Sequence, residues 1–166
     1  MIDLMFRVAY RCAYKMMRTY WAVLHPTTHG ALVALWHDGR ILLVQNSYVR
    51  YRSLPGGYVH RNETGRDAAV RELREETGFE VRPFELRLAL DQWHKWEGKN
   101  EHIEIFELDL KEPVTLQVDN REVVEATFVA PEKALELDLF PPLREVIQRR
   151  LTGKTVEDFG GLRSDG

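Results

Sequence analysis

The sequence contains only one cysteine, Cys12, in 166 residues. No intrachain disulfide can form, and the chain is predicted to be cytoplasmic, where thiols stay reduced. Cys12 lies in an apolar segment with no histidine or aspartate beside it, which predicts a small buried side chain and not a reactive thiol. The sequence also lacks internal repeats and low-complexity tracts. With 44% apolar and 30% charged residues, it is typical of one globular domain with its own core.

Long uninterrupted hydrophobic runs are absent as well. Residues 2–24 contain no glycine or proline and predict a helix, but Arg7, Arg11, Lys15 and Arg18 interrupt its apolar surface at nearly every turn. This pattern argues against a secretory signal and against a transmembrane span. The basic stripe is expected to face water or to pair with the acidic second half of the chain.

The rest of this helix is apolar or aromatic, which is too much hydrophobic surface for a monomer to expose. We expect the helix to bury that surface against its own domain or a partner subunit, most simply in a homodimer. The alternative is a basic amphipathic helix that lies on an anionic membrane surface. The side chains concerned are Met5, Phe6, Tyr10, Tyr14, Met17 and Trp21.

Charge is unevenly distributed along the chain, although the net charge is only −3. Residues 1–55 carry seven basic and two acidic side chains, a balance of +5, whereas residues 80–166 carry twelve and nineteen, a balance of −7. Such a division can hold anionic groups on one side and cations on the other.

Strand-like segments surround one central helical segment. ALVALW and ILLVQN flank an Asp38-Gly39 turn and predict a β hairpin, and further strands are expected in 81–90, 102–110 and 125–130. PPLREVIQRRL predicts a C-terminal helix, followed by a loose tail. Helices among strands of mixed length predict an α/β (α+β) sandwich with a single core.

The stretch RELREETGF places three glutamates, Glu72, Glu75 and Glu76, at positions i, i+3 and i+4. On a helix they share one face and repel one another, so the arrangement costs helix stability unless a cation binds. Hard divalent cations such as Mg²⁺ take several oxygen ligands, which clustered carboxylates supply. The pattern therefore indicates a metal site in preference to a solvated acidic face.

The approach to this helix supports the same interpretation. Leu54-Pro55-Gly56-Gly57 predicts a turn where the backbone comes close to whatever binds, because the two glycines carry no side chain. Thr64 followed by Asp67 resembles a capping box and predicts that the helix begins near Gly65. Gly78 has the position of a left-handed C-cap.

The segment from Gly57 to Phe79 resembles the signature box of the Nudix hydrolases, G-x5-E-x7-R-E-U-x-E-E-x-G-U, in which U is a bulky aliphatic residue. One mild departure is Phe79, an aromatic residue where an aliphatic one is usual, which affects packing only. The matching positions are Gly57, Glu63, Arg71, Glu72, Leu73, Glu75, Glu76 and Gly78.

The resemblance implies the family's α/β/α sandwich with a mixed sheet over residues 27–151, with residues 1–26 as an extra N-terminal helical extension and 152–166 as a tail. It also implies a hydrolase that cleaves a pyrophosphate bond in a nucleoside diphosphate linked to another moiety X, such as a nucleoside triphosphate or nucleotide sugar. The expected cofactor is Mg²⁺, with Mn²⁺ as an alternative, and the expected partner is a small nucleotide-type molecule and not a nucleic acid polymer.

By the same resemblance, Glu72, Glu75 and Glu76 hold the metal together with the backbone carbonyl of Gly56. Glu63 and Arg71 orient these carboxylates. A further ligand or general base is expected from outside the box. Glu122, in NREVVEATFVAPEKA, is the candidate for it, whereas Glu125 is expected to be a surface acid. Glu72 and Glu122 both remain open as the base.

Substrate selection is assigned to DQWHKWEGKNEH, which is predicted as a loop. Trp93 and Trp96 can stack on a base and His94 lies between them, so these three are the candidate substrate-binding residues. The alternative is that both tryptophans pack against the body of the domain.

Two other functions remain as alternatives to hydrolysis of a nucleotide. One is a non-catalytic Nudix module that binds nucleotide derivatives, which the complete set of box glutamates disfavours. The other is a membrane-associated lipid or isoprenoid pyrophosphatase, suggested by the basic N-terminal helix.

Overall fold

The computed structural model describes residues 2–118 and 120–153, which form four α helices and six strands. A short 3-10 turn, Pro83–Glu85, lies between α2 and β4. Of the predicted tail, only Thr152 and Gly153 lie within the described residues. The elements in chain order are α1 (Ile2–Leu24), β1 (Thr27–His37), β2 (Arg40–Asn46), β3 (Gly56–Tyr58), α2 (Gly65–Thr77), β4 (Arg87–Trp96), β5 (Lys99–Leu110), β6 (Val123–Val129), α3 (Pro131–Leu135) and α4 (Pro141–Thr152).

The predicted hairpin is confirmed as β1 and β2, joined by a two-residue turn. Asp38 and Gly39 both have positive φ, 48° and 70°, which is the backbone of the hairpin turns that favour Asp-Gly. His37 pairs with Arg40 next to the turn. The local sequence was sufficient to predict this hairpin, because the Asp-Gly turn and the strand-like segments on either side of it both favour the same structure.

The sheet is mixed and has the order β4-β5-β1-β2-β6, with β3 paired to the first half of β1. β1 and β5 run parallel over their whole lengths, while the other pairs are antiparallel. Helices cover both faces, so the predicted α/β/α sandwich is confirmed.

Successive side chains of β1 point to opposite faces of the sheet, so the strand contributes to a hydrophobic core on each face. Ala31, Val33 and Leu35 face α2, where they pack with Ala68, Ala69 and Leu73. Leu32, Ala34 and Trp36 face the opposite way, towards Leu143, Val146 and Ile147 of α4. Strand β1 is therefore buried on both faces, as expected for a strand with a parallel neighbour.

Two predictions about residues 81–102 were wrong. The 3-10 turn at Pro83–Glu85 replaces the first half of the predicted strand, because proline fixes φ and lacks the N–H of a ladder. The segment predicted as a loop is instead a hairpin of β4 and β5, with Glu97 and Gly98 at its turn (φ 50° and 85°). The sequence pattern was obscured because polar and aromatic side chains, not aliphatic ones, alternate along this end of β4.

Helix α1 spans the predicted residues and packs on its own domain along one narrow seam. Trp21 is buried and Tyr10 and Tyr14 are half-buried, whereas Met5 and Met17 are exposed. Most of the apolar surface therefore faces away from the domain. Cys12, expected to be buried, is exposed on that outward side, because the seam and not the apolar arc docks on the domain.

Three side chains of the basic stripe of α1 contact the domain, although Arg11 and Arg18 also remain exposed to water. Arg7 donates to the carbonyl of Asn120 (2.8 Å) and Arg11 donates to the carbonyl of Ser47 (2.9 Å). Arg18 lies 3.8 Å from Glu97, in the acidic half of the chain as expected. Among residues 2–118 and 120–153, no helix is long and apolar enough to cross a membrane.

Candidate active site

The loop before α2 brings backbone against the glutamates of the helix. A side-chain carbon at Gly57 would overlap the carboxylate of Glu72, and one at Gly56 would overlap the backbone of Ala31 and Leu32. Gly56 needs glycine for this close approach, because its φ is 154° and the overlap is with backbone, whereas the overlap at Gly57 is with the movable end of the Glu72 side chain. The turn predicted from the two glycines thus lies directly on the acidic face of α2.

Helix α2 begins and ends where its caps predict. The hydroxyl of Thr64 accepts a hydrogen bond from the backbone N–H of Asp67 (3.1 Å), which satisfies one free donor of the first turn. Gly78 has φ 69° and its N–H donates to the carbonyl of Arg74 (2.9 Å). These caps fix the register that decides which glutamates face the loop.

Arg71 is the centre of a network that joins the loop to the helix. It donates two hydrogen bonds to Glu63 (2.9 and 3.0 Å), one to Glu72 (2.7 Å) and one to the carbonyl of Tyr58 (3.0 Å). Glu75 lies further away, at 3.4 Å. The bidentate pair with Glu63 fixes the plane of the guanidinium, which in turn orients the carboxylate of Glu72.

The hydrogen-bond network lowers the pKa of Glu63. Its hydrogen bonds from Arg71, and a further one from the backbone N–H of His60, lower the pKa of Glu63 from an ordinary 4.5 to about 2. The pKa of Arg71 is correspondingly raised, chiefly by Glu63. Both groups are charged throughout the neutral range.

The three glutamates of the acidic face have different surroundings. Glu76 is buried (8% exposed) and accepts a 3.1 Å hydrogen bond from the N–H of Gly56. The side chain of Glu72 is 16% exposed, whereas that of Glu75 is 52% exposed. Glu72 and Glu76 therefore face the glycine turn, and Glu75 lies at the rim.

Glu122 reaches the same region from the segment before β6. Its side chain accepts a 2.9 Å hydrogen bond from the hydroxyl of Tyr48, and its carbonyl accepts one from the N–H of Ser47 (2.7 Å). Burial raises the pKa of Tyr48, and the charges of Glu122 and, more weakly, Glu76 raise it further. Tyr48 thus lies within the fields of both carboxylates. Glu125 is a half-exposed acid that pairs with Arg52 at 2.9 Å.

The donor set consists of carboxylate oxygens, the ligands that a hard divalent cation takes. Close packing of charged carboxylates against backbone is also an arrangement that a bound cation stabilises. Within residues 2–118 and 120–153, however, no three acidic, histidine or cysteine side chains are gathered closely enough to hold a metal together. One oxygen of Glu72 accepts from Arg71, and the carboxylate keeps further acceptor sites for a cation.

A cavity of about 280 Å³ extends from Gly56, Gly57 and Glu122 towards α1, close to the lower end of the roughly 300–1,000 Å³ typical of small-molecule sites. Its walls come from the sheet, from the segment after β2 and from α1. Eight aromatic side chains line it: Tyr10, Tyr14, Trp21, Tyr48, Tyr51, Tyr58, Trp96 and Phe140.

The three substrate-binding candidates lie on different faces of β4, because side chains alternate along a strand. Trp96 lines the cavity and makes an edge contact with Phe140. His94 is stacked on Trp96 at 6.0 Å, next to the cavity wall. Trp93 is 66% exposed on the opposite face, where it stacks on His102.

Sequence reasoning missed Tyr48 and the aromatic side chains of α1. The signal for α1 was present in the spacing of Tyr10, Tyr14 and Trp21, which places three rings on one face of the helix. It was hidden because apolar residues occupy the remaining faces as well. Nothing local distinguishes Tyr48 from the other tyrosines of 48–58.

Comparisons with known proteins agree with this architecture. A family model described as NUDIX domain matches residues 26–150. Nudix hydrolase 2 of Arabidopsis thaliana is 32% identical over 104 residues, which cover 59% of this chain and 36% of that protein. The chain spans only about a third of the length of the curated relatives it matches.

Solved structures share the fold at low sequence identity. The MutT protein of Methanosarcina mazei Go1 superimposes with a TM-score of 0.67 at 21% identity, covering 79% of this chain and 97% of that one. A C. elegans Ap4A hydrolase superimposes with a TM-score of 0.64 at 19% identity, covering 76% and 96%. At these identities the likeness concerns the fold alone.

Proposed function

The chain belongs to the Nudix family, and we propose that it is a Mg²⁺-dependent hydrolase that cleaves a pyrophosphate bond in a nucleoside diphosphate linked to another moiety X. One observation carries the proposal. The buried Glu76 and the partly buried Glu72 lie against the Gly56-Gly57 turn, and Gly56, Gly57 and Glu122 line the same aromatic cavity.

Glu72, Glu76 and Glu122 are the residues that would hold the metal, with the backbone carbonyl of Gly56 and the rim residue Glu75 as further ligands. Mn²⁺ suits the same oxygen donors. When bound, the cation would neutralise the diphosphate and activate water for attack at phosphorus. Arg71 positions Glu72 and is itself held by Glu63, so these two residues act through the carboxylates and not on the substrate.

The general base is Glu72 or Glu122, and their partners differ. Glu72 accepts from the permanently charged Arg71, whereas Glu122 accepts from the neutral hydroxyl of Tyr48. Both carboxylates therefore remain candidates for the group that takes the proton from water.

The experiment is a hydrolysis screen of the full-length protein with Mg²⁺ against nucleoside triphosphates, nucleotide sugars, dinucleoside polyphosphates and prenyl diphosphates. We expect release of a nucleotide or phosphate from at least one nucleotide substrate, and no release in EDTA. Tight binding without turnover across the nucleotides would instead indicate the non-catalytic module. Turnover of prenyl diphosphates alone would indicate the lipid-directed enzyme.

A homodimer through α1 is the second part of the proposal. Met5, Met16 and Val23 are 68%, 73% and 69% exposed and lie in one line on the side of α1 that faces away from the domain. Their spacing of eleven and seven residues matches an apolar seam of a helix pair. A second copy of the same seam would cover them, and the alternative occupant is a membrane surface.

We take residues 27–151 as the catalytic domain, 1–26 as a helical extension and 152–166 as a tail. The single free cysteine supports a reducing, cytoplasmic location. The expected substrate is a small nucleotide-type molecule, since a cavity of about 280 Å³ is close to the size that holds one small ligand.

A further inference from the structure

Helix α1 lies outside the region that the NUDIX domain model matches, yet it is bound to the domain at three places along its length. Near its start, Asp3 pairs with Arg121 at 3.2 Å. In its middle, Arg11 donates to the carbonyl of Ser47. Near its end, Trp21 and Ala22 pack so closely on the β4-β5 turn that a side chain at Gly98 would be crowded by their backbone. These contacts hold the helix over the cavity and not merely beside it.

The seam of α1 that faces the domain supplies part of the cavity wall. The hydroxyl of Tyr14 donates to the carboxylate of Glu97 at 2.5 Å, and burial followed by this hydrogen bond raises the pKa of Tyr14. The rings of Tyr14 and Tyr48 are 5.1 Å apart, and the ammonium of Lys99 lies 4.6 Å from the ring of Trp21. A ligand in the cavity therefore contacts α1 on one side and the sheet on the other.

The charges in the wall exclude phosphate from this end of the cavity. Among the described residues that line the cavity, only Lys99 is basic, and its ammonium is paired with Glu101 at 2.7 Å. Burial acts to lower the pKa of Lys99, but Glu101 and Tyr58 outweigh it and the net shift is upward, so the pair stays ionic. Glu97 adds negative charge at the α1 end, although Arg18 lies 3.8 Å from it. The diphosphate is therefore expected at the glycine turn, and the group that enters the aromatic end is not an anion.

The polar groups of the wall also disfavour a hydrocarbon chain. The hydroxyls of Tyr14 and Tyr48 already donate to Glu97 and Glu122, but each carboxylate keeps further acceptor sites, which a lipid tail would bury without offering them a donor. A flat heteroaromatic ring stacks on the aromatic side chains and presents polar edges to the hydroxyls and carboxylates. The wall therefore fits a nucleobase.

We propose that α1 is a substrate-recognition element, in which Tyr14 and Trp21 form the wall that receives the nucleobase and thereby determine the preference for nucleotides. The proposal rests on the proposed function for the position of the diphosphate, but its test does not need turnover. Tyr14 stacks on the base or borders it directly, and Trp21 encloses the far end over Lys99.

The test measures binding by calorimetry, in Mg²⁺, of AMP, GMP, CMP and UMP and of ribose 5-phosphate, which lacks the base. In the native protein we expect at least one nucleotide to bind about fivefold or more tighter than ribose 5-phosphate, the lower end of base stacking on an aromatic ring. Tyr14→Ala should bring the ratio of the two affinities, nucleotide over ribose 5-phosphate, close to one while leaving the affinity for ribose 5-phosphate unchanged. A purely structural role for α1 would change both affinities together.

A matched control lies on the same helix. Tyr20 is 48% exposed and does not line the cavity, so Tyr20→Ala should leave the ratio as it is. Tyr14→Phe, which keeps the ring, should also retain it. If Tyr14→Ala fails to fold, Tyr14→Leu replaces it as the test. Leucine keeps the apolar bulk that packs the helix on the domain, and we expect this variant to bring the affinity ratio close to one.

Three outcomes would overturn the proposal. They are a native protein with no preference for nucleotides, a Tyr14→Leu variant with the full native ratio, and tighter binding of geranyl monophosphate than of all four nucleotides. Nucleotide-selective binding that depends on Tyr14, in a protein inactive in the hydrolysis screen, would reject the proposed function and keep this inference.

Discussion

The hydroxyl of Tyr48 donates a 2.9 Å hydrogen bond to the carboxylate of Glu122, and the ring of Tyr48 packs against Tyr10 and Tyr14 of α1. One side chain thus joins the candidate base to the helix that covers the cavity. The pKa of Tyr48 is raised by burial and by Glu122, so the hydroxyl keeps its proton and remains a donor at neutral and alkaline pH.

Tyr48→Phe removes this donor and keeps the ring contacts. We expect kcat to fall by about 10-fold because Glu122 loses the hydrogen bond that orients it. The free energy of unfolding should fall by only about 1 kcal/mol, the net value of one hydrogen bond. Steady-state kinetics and urea denaturation measure both. An unchanged kcat would show that Tyr48 does not position Glu122.

The two adjacent glutamates of α2 should differ in their contributions. Glu76→Gln changes a buried carboxylate at the glycine turn and is expected to lower activity at limiting Mg²⁺ by ~10-fold or more. Glu75→Gln, at the half-exposed rim, is the matched control with the same chemical change and should cost clearly less. Metal titrations of both variants test the order. Equal losses of activity in the two variants would show that Glu75 and Glu76 contribute equally to metal binding, contrary to this prediction.

The contact between Gly57 and Glu72 is open to a double-mutant cycle. Gly57→Ala should displace the Glu72 carboxylate, which weakens metal binding and destabilises the protein modestly, because the added methyl group overlaps the movable end of that side chain. In a Glu72→Ala background the same change should be nearly neutral for stability, since the overlap is gone. Denaturant unfolding of the four proteins gives the coupling energy. Additive effects would mean that Gly57 is required for another reason.

The Glu63–Arg71 pair predicts a specific dependence of stability on pH. The pKa of Glu63 is about 2 in the folded protein and near 4.5 when unperturbed, so its ionisation stabilises the fold fully above pH 4.5. That stabilisation is lost progressively as the pH falls from 4.5 towards 2. Glu63→Gln should be less stable than the native protein at pH 6, and the difference should shrink over this window. A difference that stays constant between pH 6 and 2.5 would contradict the assignment.

Met16→Glu tests the dimer. It places a charge in the centre of the outward apolar seam of α1, which should dissociate a dimer while leaving the cavity side of the helix unchanged. Lys15→Glu puts the same acid one position away, on the flank of the seam, and should not dissociate it. Light scattering gives the mass of each protein. A native protein that is monomeric would leave the outward face to another partner, and vesicle binding lost in Met16→Glu would identify a membrane surface.

The sequence by itself determined those parts of the protein that depend on neighbouring residues. The Asp38-Gly39 hairpin, the caps of α2 at Thr64 and Gly78, and the shared face of the three glutamates all follow from local backbone preferences and helix geometry. The α/β/α sandwich followed from the order of these elements and from the box between Gly57 and Phe79.

Only the tertiary structure decided which residues meet across the chain. Glu122 approaches Tyr48 from 74 positions away, and Trp96 and Trp93 separate to opposite faces because a segment expected to be a loop is strand. The seam of α1 that docks was equally hidden, since the helix is apolar on more than one side. The helix docks by the face that carries arginines and tyrosines, because these side chains donate to the oxygen acceptors at Ser47, Glu97 and Asn120, which apolar side chains cannot do.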